Sequence, residues 1–146
     1  MFLGKHERNL DDKGRLAIPA RFREHLPGGS VITVAPDSCV RVYPPDEWDV
    51  LAAQNRVGAG SSTQDRNLAR VLFANAAELE FDAQGRTRIP ANLREQAGIA
   101  DSVVVVGVNN VVEIWSEERW KALEENTSSD ITTLSNEVAS SRVANP

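Results

Sequence analysis

Residues 11–24 read Asp11-Asp12-Lys13-Gly14-Arg15-Leu16-Ala17-Ile18-Pro19-Ala20-Arg21-Phe22-Arg23-Glu24, and 71 positions later residues 82–95 read Asp82-Ala83-Gln84-Gly85-Arg86-Thr87-Arg88-Ile89-Pro90-Ala91-Asn92-Leu93-Arg94-Glu95. Asp, Gly, Arg, Ile, Pro, Ala, Arg and Glu recur in register, and Phe22 faces Leu93. Beyond the next turn the offset becomes 72, so that Val31 meets Val103, Val40 meets Val112, Tyr43 meets Trp115, Trp48 meets Trp120 and Leu51 meets Leu123. One residue inserted in a loop accounts for the step. A fixed period of this kind is the signature of a duplicated unit, and it constrains the architecture more than any local propensity does.

Each copy predicts the order β-turn-β-α-β-β-α. Asn9–Leu16 reads as strand, tight turn and strand, with Gly14 supplying the positive φ that closes the turn and Gly85 doing so in the second copy. Pro19 and Pro90 end the second strand and fit the first turn of short helices over Pro19–Leu26 and Pro90–Ala97. Gly28-Gly29 and Gly98 stop those helices. The apolar runs Ser30–Ala35 and Cys39–Tyr43, and Ser102–Val106 and Val111–Trp115, predict two strands per copy. A helix closes each copy. The first follows Pro44-Pro45 and carries Trp48, Leu51 and Ala52 on one face, and the second starts at Ser116, an N-cap followed by Glu117 and Glu118.

A unit this small buries too little surface to be stable alone. Two units pairing their sheets around one core predict a mainly β, α+β protein with short helices, arranged as a pseudo-two-fold barrel. The divisions expected are a first repeat over 1–57, a linker and connecting helix over 58–77, a second repeat over 78–125 and a polar, mobile tail over 126–146. The connecting helix begins at Ser62-Thr63-Gln64-Asp65 and runs on through Leu68, Val71, Leu72 and Ala76. In the tail, Ile131, Leu134 and Val138 form only a weak helical stripe.

Charge divides unevenly along the chain. The net charge is −5, yet residues 1–26 carry +2 and residues 82–98 carry +1, while residues 27–81 carry −3 and residues 99–146 carry −5. The positive windows are the two copies of the motif. A local basic patch on an acidic body can still hold phosphate, because charges act over a Debye length of roughly 8 Å.

The repeated Asp-x-x-x-Arg, Asp11 with Arg15 and Asp82 with Arg86, is the most informative chemistry in the chain. In purely structural terms the Asp accepts turn N–H groups and pairs with the Arg across the turn. A functional role adds that the stiffened turn presents an Arg fork outward, a shape suited to phosphate or a guanine edge. The candidate DNA-binding residues are therefore Lys13, Arg15, Arg86, Arg8, Lys5 and Arg88, positioned by Asp11, Gly14, Asp82 and Gly85. Arg23 and Arg94, on short helices beside Glu24 and Glu95, read first as solvated surface charges, with repeat packing as their other role. Trp48 and Trp120 lie beside leucines on amphipathic helices and predict core rather than base stacking.

Catalysis is not expected. Asp11 and Asp82 could share a proton as a dyad, but an Arg four residues from each holds it ionised. The Gly-rich, metalloprotease and nucleophile-elbow motifs are absent. The single Cys39, in a strand-like run, reads as a small buried hydrophobe. It makes no Cys-x-x-Cys pair, and His6 and His25 lack partners at ligand spacing, so no metal or cofactor is expected. No apolar run is long enough to span a bilayer. Lys5, His6, Glu7 and Arg8 stand where a signal peptide needs its apolar segment, so the expected location is cytoplasmic, with no membrane or small-molecule partner.

Met1-Phe2-Leu3-Gly4, the two motif copies, Val42-Tyr43-Pro44 with Trp48, and Glu113-Ile114-Trp115 with Trp120 together resemble the MraZ family. These are bacterial transcriptional regulators whose halves resemble SpoVT-AbrB DNA-binding domains. The resemblance covers about residues 1–125. It implies a swapped-hairpin fold with an intramolecular pseudo-dimer, homo-oligomeric rings and association with the nucleoid. It also implies binding to double-stranded promoter DNA and control of a cell-division and cell-wall gene cluster that includes the regulator's own gene. The expected function is sequence-specific transcriptional regulation, with repression through repeated promoter half-sites. The alternative is an antitoxin-like or scaffold module in which the arginines meet acidic protein partners.

Overall fold

The computed structural model describes residues 1–144. The first repeat supplies β1 (Lys5–Asn9), β2 (Arg15–Ala17), α1 (Ala20–Arg23), β3 (Val31–Ala35), β4 (Cys39–Tyr43) and α2 (Pro45–Gln54). A connecting helix, α3 (Thr63–Ala74), leads to the second repeat: β5 (Ala77–Glu78), β6 (Arg86–Arg88), α4 (Ala91–Gln96), β7 (Ser102–Val108), β8 (Val111–Ser116) and α5 (Glu117–Asn126). The order expected for one unit thus occurs twice. A last helix, α6 (Ile131–Ala144), follows. It lies in the stretch expected to be a polar, mobile tail, and its apolar side chains Ile131, Val138 and Val143 are exposed.

The repeats are interleaved rather than side by side. A six-stranded antiparallel sheet runs β1-β7-β8-β4-β3-β5, and β2 pairs only with β6 in a separate two-stranded ribbon. The first strand of each repeat pairs with the third strand of the other: β1 lies on β7, with Glu7 opposite Val104, and β5 lies on β3, with Ala77 opposite Ile32. Asn9–Leu16 does turn at Gly14 as its sequence indicates, but β1 and β2 do not form a paired hairpin with each other. Turn residues fix where the chain reverses. The strand partner is chosen by which apolar face must be covered, and that face belongs to the other repeat.

The barrel expected from the size argument is not closed. No ladder joins the edge strands β1 and β5. β5 is two residues long and pairs only with Val31 and Ile32, so it offers too few N–H and C=O groups to extend the sheet. The β2–β6 ribbon covers the open side instead, turning Leu16 and Thr87 inward.

One hydrophobic cluster joins both repeats. Leu16, Ile18, Phe22, Leu26, Ile32, Val40 and Val42 pack with Ile89, Leu93, Ala97, Ile99, Val103, Val105, Val112 and Ile114. The period-2 alternation of β4 and β8 sends Val40, Val42, Val112 and Ile114 into this core. Each of these side chains contributes on the order of 1.5–3 kcal/mol by leaving water, and neither repeat could bury them alone.

Three expectations need correction in detail. α1 is only four residues, not the full Pro19–Leu26, because the chain tightens into i→i−3 bonds at His25 and Leu26 to drop Leu26 into the core. The α3 stripe is shifted: its Ser62–Asp65 capping box is present, but Ala69 and Leu72 face inward while Leu68 and Val71 are exposed. A bond from buried Thr33 Oγ1 to the Leu72 carbonyl (2.6 Å) fixes that rotation. Trp48 and Trp120 lie outside the core. They are half-buried, with Trp48 packed between Tyr43 (5.6 Å) and Phe73 (5.3 Å) and Trp120 on Trp115 (5.7 Å), because α2 and α5 cover the outer face of the sheet. Cys39 is buried, as its strand context indicates, and burial first of all pushes its thiol up to about 12, leaving a protonated, unreactive side chain.

Candidate nucleic-acid interface

The two motifs build the same turn twice. Asp11 Oδ1 accepts the backbone N–H groups of Lys13 and Arg15, both at 2.9 Å, and Asp82 Oδ1 accepts those of Gln84 and Arg86 at the same distance. The other carboxylate oxygen takes the guanidinium: Arg15 Nε donates to Asp11 Oδ2 at 2.7 Å, and Arg86 Nε donates to Asp82 Oδ2 at 3.0 Å. Gly14 and Gly85 sit at φ +74° and +76°, a region that an L side chain rarely enters. Each Asp therefore holds its turn and its Arg together.

The turns are then clamped by the opposite repeat. The Gly14 carbonyl accepts the Ile89 N–H (3.0 Å) and the Gly85 carbonyl accepts the Ile18 N–H (3.4 Å). Arg94 Nε donates to the Ile89 carbonyl (3.0 Å) and lies against Gly14, while Arg23 Nε donates to the Ile18 carbonyl (3.1 Å) and lies against Gly85. The sequence reads these two arginines first as solvated surface charges, with repeat packing as their other role; the structure half-buries both against the turn of the opposite repeat.

The antiparallel ribbon puts Arg15 opposite Arg88, Leu16 opposite Thr87 and Ala17 opposite Arg86. The pseudo-two-fold axis passes through the Leu16–Thr87 pair, since these two residues are equivalent in the repeats. Because Leu16 and Thr87 point inward, the outward positions are Arg15, Ala17, Arg86 and Arg88. Three guanidinium groups thus share the solvent face of one short ribbon, with Lys13 exposed in the turn that leads into it.

The symmetry is imperfect. Asp11 Oδ2 also accepts from Arg86 Nη1 at 3.5 Å, so Asp11 serves both arginines. The Arg15 backbone N–H does most to lower the Asp11 carboxyl. Partial burial opposes it, the Arg15 side chain and the Lys13 N–H add to it, and the net value is about 2. Asp82 is lowered as well, first by the Arg86 backbone N–H. Both carboxylates are ionised at neutral pH, which removes the proton-sharing dyad that an acid–base enzyme would need.

Lys5 and Arg8 lie elsewhere. Strand alternation sends them to opposite faces of β1. Lys5 Nζ pairs with Glu124 of α5 at 3.2 Å, and Arg8 lines a cavity beside α1. The sequence placed them in the first basic window, but proximity in sequence did not bring them to the ribbon. Among the described residues no group of three or more His, Cys, Asp or Glu is placed to hold a metal, and no helix is long and apolar enough to cross a membrane.

Fold and site together define a tandem-repeat α+β protein that displays paired, carboxylate-staked arginines on a β-ribbon. Comparison with known proteins narrows this class. The model of the MraZ protein family, whose description adds "antitoxin-like", matches residues 1–70 and again 72–140. Proteins named transcriptional regulator MraZ are similar over most of their length. The relative from Syntrophomonas wolfei is 44% identical over 129 residues, covering 88% of this chain and 90% of its own. That from Roseiflexus castenholzii is 49% identical over 121 residues, covering 83% and 85%. That from Natranaerobius thermophilus is 38% identical over 138 residues, covering 94% and 96%. The chain belongs to the MraZ family, a family of transcriptional regulators and not of enzymes.

Proposed function

We propose that this protein is a sequence-specific DNA-binding regulator, that the β2–β6 ribbon is its reading element, and that it represses its own cell-division and cell-wall gene cluster. The observation that carries the reading is the ribbon face itself: Arg15, Arg86 and Arg88 project from adjacent strands about a pseudo-two-fold axis, and two of the three are aimed by carboxylates. A two-stranded ribbon fits the B-DNA major groove, roughly 12 Å wide, and an Arg fork matches the O6 and N7 of guanine. On this reading Lys13 contacts phosphate, Arg15, Arg86 and Arg88 reach the groove, and Asp11, Gly14, Asp82 and Gly85 position them. On the same reading Arg8 and Lys5, which lie off the ribbon on opposite faces of β1, contact no base edge.

The reciprocal strand exchange supports describing residues 1–57 and 78–125 as SpoVT-AbrB-like repeats in a swapped-hairpin arrangement, joined by 58–77 and followed by a tail over 126–146. The last two residues of that tail lie outside the described residues. One ribbon offers few cations on an acidic body, so useful affinity calls for several copies. We place the protein in the cytoplasm at the nucleoid, as a homo-oligomeric ring binding repeated promoter half-sites, where linked weak contacts multiply through effective concentration. No cofactor is required.

The test is a mobility shift on DNA upstream of the protein's own gene, with nonspecific competitor, at several salt concentrations. Binding that prefers spaced repeats to a lone half-site and weakens linearly with log salt supports the reading. Absence of promoter preference, with capture of an acidic protein through the same arginines, would replace it with the protein–protein module.

A further inference from the structure

On the side of β1 where Arg8 points, a cavity of about 700 Å³ is lined by His6 and Arg8 from β1, and by Arg21, Phe22, Glu24 and His25 from α1 and the turn after it. That is well within the size range of pockets that hold small ligands. Two guanidinium groups and two imidazoles stand in this lining, and Glu24 is the single carboxylate side chain among them. None of Arg8, Arg21, His6 and His25 takes part in any of the ion pairs among the described residues, and Arg8 Nη1 donates to the Glu7 carbonyl at 2.9 Å. In a chain of net charge −5, this cavity gathers two guanidinium groups with Glu24 as the one carboxylate in its lining.

The imidazoles are held in place rather than loose. His6 meets the edge of the buried Phe22 ring at 5.4 Å, Phe22 meets Phe2 at 5.6 Å, and Phe2 meets His25 at 6.1 Å, all near right angles. Two buried phenyl rings therefore fix the positions of two imidazoles on the cavity wall. His25 also borders a neighbouring cavity containing Asp46 and Glu47. The donor set exceeds what a carboxylate's two oxygens can take. It suits a phosphate group, whose non-bridging oxygens, two in a diester and three in a monoester, are bound by guanidinium forks and ring N–H groups.

We propose that this cavity binds a phosphate group, with Arg8 and Arg21 as the charged donors and His6 and His25 as ring donors. Such a phosphate has two sources, the backbone of DNA passing the ribbon or a free organic phosphate acting as effector. The first source rests on the DNA-binding reading and the second does not.

The experiment uses the full chain and inorganic pyrophosphate as probe, followed by titration calorimetry, beside the salt-dependent promoter titration. Wild type binds pyrophosphate saturably, and Arg21→Gln weakens it about tenfold, as expected for loss of a charge-assisted bond. His25→Gln, also at an exposed position, weakens it less. If promoter DNA competes with pyrophosphate and Arg21→Gln lowers the log–log salt slope by about one unit, the phosphate is that of DNA. If pyrophosphate binds and Arg21→Gln leaves the promoter titration unchanged, the site takes a free phosphate. This arm survives even if the protein binds no DNA. No saturable pyrophosphate binding at millimolar concentration, together with unchanged promoter affinity and salt slope in Arg21→Gln, overturns the proposal.

Discussion

Arg41 and Glu113 stand 72 residues apart at equivalent positions of the two repeats, and they pair with each other. Arg41 Nη2 and Nε reach Glu113 Oε2 at 2.7 and 3.1 Å, across the β4–β8 ladder. Trp115 Nε1 donates to the other Glu113 oxygen at 3.1 Å. Val40 pairs with Ile114 and Val42 with Val112, so the pseudo-two-fold axis crosses the sheet at this ion pair as it crosses the ribbon at Leu16–Thr87. In an assembly of identical repeats the axial residue would meet its own copy. Duplication lets the two copies carry opposite charge there.

Single charge reversal should therefore be costly and the exchange should be tolerated. The pair is largely buried, with side-chain exposures of 24% and 13%. Arg41→Glu places two carboxylates together, and we expect it to lose about 1–3 kcal/mol of stability, as breaking a partly buried pair does. Arg41→Glu combined with Glu113→Arg should recover most of that. Denaturant unfolding of the four proteins measures it, and a double variant no better than the sum of its singles would show that the axial pair is not a coupled unit.

The Asp11 staple predicts how the ribbon responds to acid. Folding lowers its pKa from an ordinary 3.8 to about 2, so the folded state favours the ionised form. Its stabilising contribution is complete above the unfolded value, declines as pH falls below about 4, and is gone below about 2. Asp82 is lowered in the same sense. Because Asp11 serves both Arg15 and Arg86, Asp11→Asn should loosen the ribbon more than Asp82→Asn. Carboxyl NMR titration should place the Asp11 midpoint near 2 in the wild-type protein, and the amides of residues 13–15 and 86–88 should shift with it.

Gly85 combines a positive φ with a neighbour already in place. A Cβ there would come within 2.5 Å of Arg23 Cζ, while the equivalent group on Gly14 would lie 3.0 Å from Arg94 Cζ. Gly85→Ala should therefore cost more stability than Gly14→Ala, with each losing at least about 1 kcal/mol from the left-handed backbone alone. Adding Arg23→Ala to Gly85→Ala should recover the steric part. Thermal unfolding of this set checks the order, and equal losses at the two glycines would mean that Arg23 simply moves aside.

How much of this was legible depended on which signals are local. The turn at Gly14 and Gly85, the capping box at Ser62, the strands β3, β4, β7 and β8 and the Asp–Arg staples all follow from residues within a few positions of one another. The period then revealed two equivalent units with one core. What the sequence withheld was pairing between units. Nothing in Lys5–Asn9 says that its partner is Ser102–Val106, and the symmetry-related Arg41 and Glu113 look like ordinary surface charges until the axis brings them together. The outward rotation of Leu68 and Val71 depends on one Thr33 bond, and the partial exposure of Trp48 and Trp120 depends on helices lying outside the sheet. The cavity at His6 and Arg8 joins residues more than ten positions apart, with no motif to announce them.

The sharpest prediction concerns Arg15 against Arg86. Each spends Nε on its own Asp, but Arg86 also gives Nη1 to Asp11 at 3.5 Å, whereas Arg15 has no such second carboxylate. Arg15 therefore keeps both terminal nitrogens available for a bidentate contact with a base edge. We expect Arg15→Ala to weaken promoter binding by about 1–3 kcal/mol and to relax preference at one position of the site. Arg86→Ala should weaken binding less and lower stability more, because it also removes the bridge between the two turns. Lys13→Ala should weaken all sequences alike and reduce the salt slope by about one unit, as a phosphate contact does. Repetition of the ribbon in an oligomer would enlarge each loss without changing this order. Titrations of the folded variants against promoter fragments with single base changes separate these outcomes. A folded Arg15→Ala protein with wild-type affinity, salt slope and base preference would reduce the Asp11–Arg15 pair to a turn staple and move the DNA-reading element off the ribbon.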